Sequence, residues 1–573
     1  MNLLLVAINA KYIHSNPAIR LLQKSVERDC GTKPELLECT INQYTEDILR
    51  AIYERRPDAV GFSCYIWNIG LVKALIPAIR KILPHCVLFA GGPEVSFRSF
   101  DFMKENALDF IIRGEGERII CDVARALESG GSFEEIRGLT VRLADGTIRE
   151  NPDGEIPDMS GIPFPYDDLS DLENRIVYYE TMRGCPFRCQ YCLSGAGSRV
   201  RFRSLDLVFK ELQFFLDRRV PQVKFVDRTF NCKKEYAMAI WQYLAEHDNG
   251  ITNFHFEMAA ELLDDEMITW LHTVRPGLFQ FEIGVQSTNP DTLRAVQRVT
   301  LPEKLTPVIR NLQAGKNIHL HLDLIAGLPF ETYDRFGESY NYVFSLQPEQ
   351  LQLGFLKLLK GSGLAAKQEE YGLVCRDDAP YEILCTPWLP YDDVLRLKRI
   401  ETLNELYYNT RRYQKALRFL VAQFETPFAF LESLSAFFTE HGLFDAPMSK
   451  PDTYTALWNF CCEKGFDRER FSWLIRFDLL AHEKPKKLPG WLDDGMKAQY
   501  RDAIFRFFAA EENRELYLPE YGYLTDPHQL IRAAHIEVFP FDPQTGEERQ
   551  TALLFSYRRR DLDKNAAVFE ITL

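Results

Sequence analysis

The chain has 573 residues, of which 46% are hydrophobic, and its formal net charge is −14. Such a length exceeds what one hydrophobic core supports and predicts about three or four domains. The acidic balance argues against general nucleic-acid binding and against anionic membranes, because both need clustered Lys and Arg. No apolar run approaches the ~20 residues of a membrane span. The N-terminus lacks a basic signal segment, and the 13 cysteines are odd in number, so we expect a cytoplasmic protein.

Residues 1–150 alternate short apolar runs with amphipathic helical patterns. The predicted helices span 16–30, 42–54 and 68–83. The predicted strands are nearly all apolar, as parallel strands covered on both faces are, and they span 3–8, 35–39, 58–63, 86–91 and 109–113. This pattern predicts a doubly wound, Rossmann-like sheet, which binds ligands at the carboxyl ends of its strands.

Three loops lie at those carboxyl ends. They read GFSCYIWN at 61–68, AGGPEV at 90–95 and RGEGE at 113–117. Paired glycines let a backbone approach a bulky ligand closely. No G-x-G-x-x-G follows the first strand, so a nicotinamide dinucleotide is not expected.

Residues 151–170 are rich in proline and glycine and are predicted to form a linker, with a helix start at Asp167-Asp168. From 171 to 365 the βα alternation resumes. The six predicted strands span 175–180, 222–227, 253–258, 280–284, 318–324 and 351–355. Six such units predict an open, partial (βα)6 barrel with its catalytic groups at the strand ends.

The most informative motif is C-x3-C-x2-C, formed by Cys185, Cys189 and Cys192 with Tyr191 before the last cysteine. Three thiolates on one loop hold three irons of a 4Fe–4S cluster and leave the fourth iron open to a substrate. A zinc loop or three unrelated thiols are the alternatives. The strand-like run before the motif and the long βα pattern after it favour the cluster.

The cysteine motif resembles that of radical S-adenosylmethionine enzymes, in which the cluster binds S-adenosylmethionine and reduces it to a 5′-deoxyadenosyl radical. The three N-terminal loops look like those of the cobalamin-binding domain that precedes many such enzymes. This resemblance implies a set of cobalamin contacts: Ser63, Gly91, Gly92, Pro93, Glu94 and His14. The D-x-H-x-x-G motif of methionine-synthase-type domains is absent. Two alternatives therefore stay open for the lower face of cobalt: His14 is the ligand, or no protein residue is.

The same resemblance implies S-adenosylmethionine contacts at successive strand ends. Tyr191 is expected near adenine, and Asp227 and Thr229 replace a G-G-E-like sequence that contacts the methionine amino group. The other implied contacts are Glu257, Gln286 and Ser287 for the ribose and carboxylate, and Ile325, Gly327 and Leu328 for adenine. Buried strand-end carboxylates are also common structural hydrogen-bonding residues. His319 and His321 are interpreted as packed barrel residues rather than proton relays.

Residues 366–573 are predicted to form a mostly helical domain with terminal strands after 535. Its cysteines (Cys375, Cys385, Cys461 and Cys462) lack the density of an auxiliary cluster and are interpreted as reduced structural thiols. The basic run at 557–560 is interpreted as a solvated face. We recognise no catalytic motif here and expect this domain to close the substrate cavity or to bind a partner.

The resemblance implies an enzyme with three cofactors: a 4Fe–4S cluster, S-adenosylmethionine and cobalamin. Its implied reaction is methylation of an unactivated carbon through methylcobalamin, on a substrate that the sequence does not reveal. A flavodoxin or ferredoxin is the expected electron donor. Two alternatives stay open: a non-methylating rearrangement or cyclisation, and a cobalamin-responsive regulatory protein, against which the intact cysteine triad argues.

Overall fold

The computed structural model describes residues 2–195, 199–299, 302–485, 488–492, 495–496 and 499–573. The chain divides into two compact units. The first comprises Met1–Ile318, Ile325–Thr332 and Gly354–Tyr391, and the second His319–Leu324, Tyr333–Leu353 and Asp392–Leu573. This division differs from the expected boundary at 365, because Leu358 and Ile383 share a hydrophobic core with Leu328. Within the described ranges, no helix has both the length and the apolar character needed to cross a membrane.

A seven-stranded sheet with the order β2-β1-β3-β4-β5-β6-β7 forms the N-terminal part of the first unit. Its strands are β1 (Leu3–Asn9), β2 (Glu35–Thr40), β3 (Ala59–Ser63), β4 (Val87–Gly91), β5 (Phe110–Ile112), β6 (Leu139–Arg142) and β7 (Ile148–Glu150). Strands β1 to β5 pair in parallel, which confirms the predicted doubly wound sheet. The short antiparallel strands β6 and β7 were not predicted.

Six helices belong to this domain: α1 (Pro17–Cys30), α2 (Thr45–Glu54), α3 (Ile69–Ile82), α4 (Pro93–Ser96), α5 (Ser99–Glu105) and α6 (Gly116–Ser129). Alternate residues of β1 enter two hydrophobic cores: Leu4 and Val6 join one core, and Leu3 and Leu5 join the other. A strand buried on both faces therefore needs an unbroken apolar run.

The linker contains two turns of 3-10 helix, Met159–Gly161 and Ser170–Leu172. The predicted helix start at Asp167-Asp168 is wrong. The Asp168 carboxylate instead accepts hydrogen bonds from the backbone N–H groups of Leu169 and Ser170, at 2.8 and 3.2 Å, and so closes a local turn.

A six-stranded sheet with the order β15-β14-β13-β12-β11-β8 confirms the partial barrel. A two-stranded hairpin, β9 with β10, lies between its first two strands in sequence. The strands are β8 (Val177–Tyr179), β9 (Met182–Arg183), β10 (Arg201–Phe202), β11 (Gln222–Phe225), β12 (Asn253–Met258), β13 (Phe279–Gln286), β14 (His319–Ala326) and β15 (Gln350–Phe355). The helices are α7 (Leu205–Asp217), α8 (Lys234–Glu246), α9 (Asp265–Leu271), α10 (Pro290–Ala295), α11 (Pro302–Ala314) and α12 (Tyr333–Ser345).

The segment after β15 contains α13 (Gly363–Ala366) and the strand pair β16 (Val374–Cys375) and β17 (Ile383–Cys385). His321, which is on β14, is buried with its Nε2 2.9 Å from an Asp323 oxygen, as a packed histidine is.

The second unit is mostly helical and ends in an antiparallel three-stranded sheet, as predicted. A π-helix, Asn404–Asn409, follows the helix Tyr391–Leu403. The elements are α14 (Tyr391–Leu403), α15 (Gln414–Val421), α16 (Pro427–Glu440), α17 (Lys450–Glu463), α18 (Arg468–His482), α19 (Arg501–Ala509), α20 (Glu511–Tyr517), α21 (Pro527–Ala533), β18 (His535–Phe539), β19 (Thr551–Arg560) and β20 (Ala566–Ile571). The arginines at 558–560 are exposed, which confirms a solvated face.

Candidate active site

The three motif cysteines lie on the loop that joins β9 to β10. Two backbone hydrogen bonds hold this loop at Gln190, which lies between Cys189 and Cys192. The Gln190 N–H donates to the Val296 carbonyl at 2.9 Å, and the Leu364 N–H donates to the Gln190 carbonyl at 2.8 Å. The loop is therefore a fixed platform rather than a free turn.

Polar groups surround the three sulfurs. The Cys189 sulfur accepts a hydrogen bond from Arg298 Nη1 at 3.8 Å, and the Cys192 sulfur accepts one from the Ser194 N–H at 3.4 Å. The Thr229 hydroxyl lies 3.3 Å from the Cys185 sulfur. Hydrogen bonds to cysteine sulfur favour the thiolate and tune an iron–sulfur cluster.

All 13 cysteines are free thiols, so none of the motif sulfurs is spent in a disulfide. Among the described residues, no three His, Cys, Asp or Glu side chains converge on the position of a single metal ion. A cubane cluster differs from a single ion because each cysteine binds a different iron. The donor set therefore fits a cluster better than it fits one zinc ion.

Asp227, predicted to contact the methionine amino group, binds the backbone beside the cysteine loop. This fully buried carboxylate accepts hydrogen bonds from the backbone N–H groups of Thr181 and Met182, at 2.8 and 3.0 Å, and from the Thr181 hydroxyl. Burial raises the pKa of Asp227 to about 7. Its oxygens are used to hold β9, so we assign it a positioning role.

Four of the residues expected to contact adenine come together. Tyr191 and Ile325 pack against the core that contains Leu328. Gly327 has φ +87°, and a Cβ there would lie 2.7 Å from Ile383 of the same core. The structure thus forms one apolar wall beside the cysteine loop, as an adenine ring requires.

Gln286 and Ser287 follow each other at the end of β13 but differ in their surroundings. Gln286 Oε1 is buried and has no hydrogen-bond partner among the described residues, and its backbone has φ +69°. A buried polar atom without a partner is costly, so Gln286 is suited to a ligand hydroxyl or amide. Ser287 is fully buried and donates to Glu331 Oε1 at 2.5 Å, which indicates a structural role.

The barrel strands carry a charged network that sequence reasoning missed, apart from Glu257. Glu282 Oε2 accepts a hydrogen bond from Lys224 Nζ at 2.9 Å, and His255 Nε2 lies 2.9 Å from the same oxygen. Glu257 pairs with Arg228 at 3.2 Å. Burial raises the pKa of Glu257 although Arg228 opposes the shift. The signal available in the sequence was the alternation of apolar and polar residues at the start of β13, which reads F-Q-F-E.

The expected cobalamin residues lie at the carboxyl edge of the first sheet. Ser63 and Gly91 are partners at the ends of β3 and β4. Gly92 follows with φ +107°, and a Cβ there would lie 2.6 Å from the Cys64 carbonyl oxygen. Pro93 then begins α4. Only glycine fits at position 92, because this backbone packs against the neighbouring loop.

Two of the expected cobalamin residues contact the barrel part of the unit instead. His14 Nδ1 lies 2.7 Å from the Tyr178 hydroxyl of β8, and burial, with Lys11 and Lys224, lowers the pKa of His14. The buried Glu94 carboxylate accepts hydrogen bonds from Lys360 Nζ, at 2.7 Å, and from the Tyr381 hydroxyl. Cobalamin contacts by these two residues therefore stay predictions.

Aromatic side chains at the same edge were also missed. Tyr65 and Trp67 stack with their ring centroids 4.4 Å apart, and Trp67 is 41% exposed. Tyr12, after β1, is 64% exposed. An apolar, partly exposed strand edge of this kind suits a large macrocyclic ligand.

Three families match successive parts of the chain. A family described as B12 binding domain matches residues 3–124, and the radical SAM superfamily matches residues 179–343. A protein family of unknown function, DUF4080, matches residues 369–555. A radical SAM domain uses a 4Fe–4S cluster and S-adenosylmethionine, and a B12-binding domain binds cobalamin, so these are the cofactors of this chain.

Curated relatives match about half of the chain. The cobalamin-dependent radical SAM methyltransferase TokK of Streptomyces tokunonensis is 25% identical over 342 residues, which cover 55% of this chain and 50% of TokK. The anaerobic magnesium-protoporphyrin IX monomethyl ester cyclase of Synechocystis is 27% identical over 289 residues, which cover 47% of this chain and 56% of the cyclase. The chain thus spans about half the length of these relatives.

Among solved structures, the cobalamin-dependent S-adenosylmethionine radical enzyme OxsB, with aqua-cobalamin and S-adenosylmethionine bound, is similar with a TM-score of 0.60. The similarity covers 93% of this chain and 83% of OxsB at 16% identity. At that identity the likeness establishes the fold alone.

Proposed function

The chain belongs to the radical S-adenosylmethionine enzymes that carry a cobalamin-binding domain, and from this premise we propose that it methylates an unactivated carbon of its substrate. The observation that carries the proposal is one of placement. A single compact unit contains both the carboxyl edge of the cobalamin domain and the cysteine loop, linked by direct contacts such as His14 with Tyr178. Methyl transfer to such a carbon needs both sites, because the carbon is not nucleophilic.

When bound, the cluster with S-adenosylmethionine supplies a carbon-centred radical and cobalamin supplies a methyl group. The chain's own residues bind and orient. Cys185, Cys189 and Cys192 are proposed to hold the cluster, and Arg298 donates a hydrogen bond towards Cys189. Tyr191 is proposed to pack against adenine, with Gln286 Oε1 accepting a hydrogen bond from the ligand. A buried site also keeps water from a reactive radical.

One electron must enter the site for each S-adenosylmethionine cleaved. We infer a small one-electron donor such as a flavodoxin or a ferredoxin. The reducing cytoplasm suits this chemistry, because it would keep the chain's 13 cysteines out of disulfides.

A non-methylating cyclisation is the second candidate, and the similarity to the Synechocystis cyclase favours it. The two reactions differ in their products from S-adenosylmethionine. Methyl transfer forms S-adenosylhomocysteine together with 5′-deoxyadenosine, whereas a cyclisation that uses only the radical forms no S-adenosylhomocysteine.

The test is anaerobic reconstitution with iron, sulfide and cobalamin, followed by reduction in the presence of S-adenosylmethionine and mass spectrometry. We expect both 5′-deoxyadenosine and S-adenosylhomocysteine. The triple variant Cys185→Ala, Cys189→Ala, Cys192→Ala should form no 5′-deoxyadenosine, whereas Cys462→Ala, which removes a half-buried thiol elsewhere, should behave as wild type. Radical formation without S-adenosylhomocysteine would favour cyclisation. Loss of cobalamin from the wild-type protein on gel filtration would overturn cobalt-mediated methyl transfer.

A further inference from the structure

Three acidic side chains follow β4 and β5, in α4 and at the start of α6, and they contact residues outside their own sheet. They are Glu94, Glu115 and Glu117, and each pairs with a residue beyond position 180. The resemblance implied that the loops themselves line the cobalamin. The contacts of these carboxylates point to a different task.

Arg183 is the centre of the larger contact, and it lies two residues before Cys185. Its guanidinium donates to Glu115 Oε2 at 2.7 Å and to Glu117 Oε1 at 2.8 Å. It also donates twice to Glu180, at 2.7 and 3.0 Å.

Arg201 connects one of these carboxylates to the other strand of the hairpin. Arg201 is the register partner of Arg183 in the β9–β10 pair, on the far side of the cysteine loop. Its guanidinium pairs with Glu115 Oε1 and donates to the Pro157 carbonyl at 2.6 Å. Glu115 therefore holds both strands from which the cysteine loop emerges, with one oxygen for each arginine.

Glu94 makes a second, independent set of contacts. It binds Lys360 and the Tyr381 hydroxyl, and Lys360 Nζ also lies 4.8 Å from the centre of the Tyr381 ring. The chain continues from Lys360 to Leu364, whose N–H donates to the Gln190 carbonyl within the cysteine loop. Both contacts thus connect the cobalamin domain to the segment that carries the cysteines.

We propose that Glu94, Glu115 and Glu117 are positioning residues that fix the cobalamin domain against the cysteine loop and thereby set the distance from cobalt to cluster. The inference rests on the cofactor sites of the proposed function but not on methyl transfer itself. A guanidinium held by several carboxylates is rigid, because its planar fork matches them in fixed directions. Because the two sets of contacts lie on different segments, they restrain both rotation and separation of the cobalamin domain relative to the cysteine loop.

The experiment compares Arg183→Gln, Arg183→Lys and Glu117→Gln with Asp47→Asn, all in the full chain loaded with both cofactors. Asp47 is a matched control because its ion pair with Arg50, at 2.9 Å, is exposed on the same domain. The reduced cluster and cob(II)alamin each have an unpaired spin, so pulsed electron paramagnetic resonance measures their separation. Iron and cobalamin per chain are measured in the same samples.

We expect wild type and Asp47→Asn to give one narrow distance distribution. Arg183→Gln and Glu117→Gln should keep both cofactors but broaden the distribution, because the cobalamin domain loses a rigid contact with the segment that carries the cysteines. Arg183→Lys should recover part of the narrow distribution, because it keeps the charge but loses the fork.

Three results would overturn the proposal. An unchanged distribution in both variants would mean that the carboxylates do not set the geometry. Loss of cobalamin alone from Glu117→Gln would make the loop a cobalamin ligand. Loss of the cluster alone from Arg183→Gln would make Arg183 a local support of the cysteine loop. The spin measurement does not need methyl transfer, so failure of the proposed function would leave it interpretable.

Discussion

Asp227 in the first unit and Asp478 in the second have almost the same surroundings but support different parts of the molecule. Both are buried, and burial raises the pKa of each to about 7. Asp227 accepts hydrogen bonds from two consecutive backbone N–H groups just before the cysteine loop. Asp478 accepts them from Lys415 and Ala416, at 3.0 and 2.8 Å, where α15 begins.

The difference is therefore one of position and not of chemistry. A buried aspartate that binds two N–H groups is a general way to fix a backbone turn. In the second unit this fixes a helix, and in the first it fixes the strand from which the cysteine loop emerges. A strongly shifted pKa alone does not identify a functional residue.

Removal of each carboxylate is expected to change the protein most and to distinguish the two aspartates. Asp227→Ala and Asp478→Ala should each lower the free energy of unfolding by about 1–3 kcal/mol, because buried N–H groups lose their acceptor. Only Asp227→Ala should also lose most of its iron after reconstitution. Iron and sulfide analysis with urea denaturation of both variants tests this.

Equal iron loss in the two variants would show that general instability, and not the anchoring of β9, controls cluster binding. Full iron content in Asp227→Ala would show that the backbone bonds of Gln190 hold the cysteine loop without this carboxylate.

The second prediction is that the two aspartates contribute to stability with the same pH dependence. The folded pKa of Asp478 is about 7 against an ordinary value of 3.8, so the folded chain binds the extra proton between these values. Its contribution to stability is thus fully present below about pH 4 and lost as the pH rises through about 7. The difference in unfolding free energy between wild type and Asp478→Asn should therefore decrease from about pH 5 to about pH 7.

Urea denaturation at several pH values measures that difference, and Asp227→Asn should show the same trend. A difference that stays constant between pH 5 and pH 7 would mean that the carboxylates are already ionised in the folded chain and are stabilised by their N–H partners.

Much of the fold could be predicted, because hydrophobic periodicity is local. The five parallel strands and the six barrel strands are buried runs whose pattern is present in the sequence itself. Strands β6 and β7 were missed because they are short and only partly apolar, and β7 is only half-buried to exposed. Asp168 was misassigned because an aspartate closes a turn as readily as it begins a helix.

The site was predictable only where its residues are close in sequence. The three cysteines lie within eight consecutive residues, so their spacing is informative. Glu115 and Arg183 are 68 residues apart, and no local pattern pairs them. Glu282 and Lys224 meet only because β11, β12 and β13 pair in a particular register. Such contacts depend on tertiary structure and carry no sequence signal of their own.

The third prediction compares two glycines with positive φ, one in the site and one in the scaffold. Gly92→Ala places a Cβ 2.6 Å from the Cys64 carbonyl oxygen, whereas a Cβ at Gly31, with φ +75°, meets nothing within 4 Å. Gly31→Ala should cost about 1 kcal/mol of unfolding free energy from backbone strain. Gly92→Ala should cost more and should also weaken cobalamin binding.

Thermal unfolding and cobalamin retention on gel filtration separate these effects. If Gly92→Ala kept full cobalamin affinity at a lower melting temperature, the loop after β4 would be a structural turn. If both variants lost cobalamin alike, retention would report stability alone.

Substitution of thiols outside the site should change iron content and stability least. Cys461 of the second unit is fully buried, and burial raises its pKa to about 12, so it stays a protonated thiol. Iron–sulfur clusters bind thiolates, so Cys461→Ala should keep about four irons per chain and lose only about 1 kcal/mol of unfolding free energy to the small cavity. Its neighbour Cys462 is half-buried, and Cys462→Ala should change neither quantity. Iron analysis decides the matter, because more than four irons in wild type, falling towards four in either variant, would reveal a second metal site in the unit whose family has no assigned function.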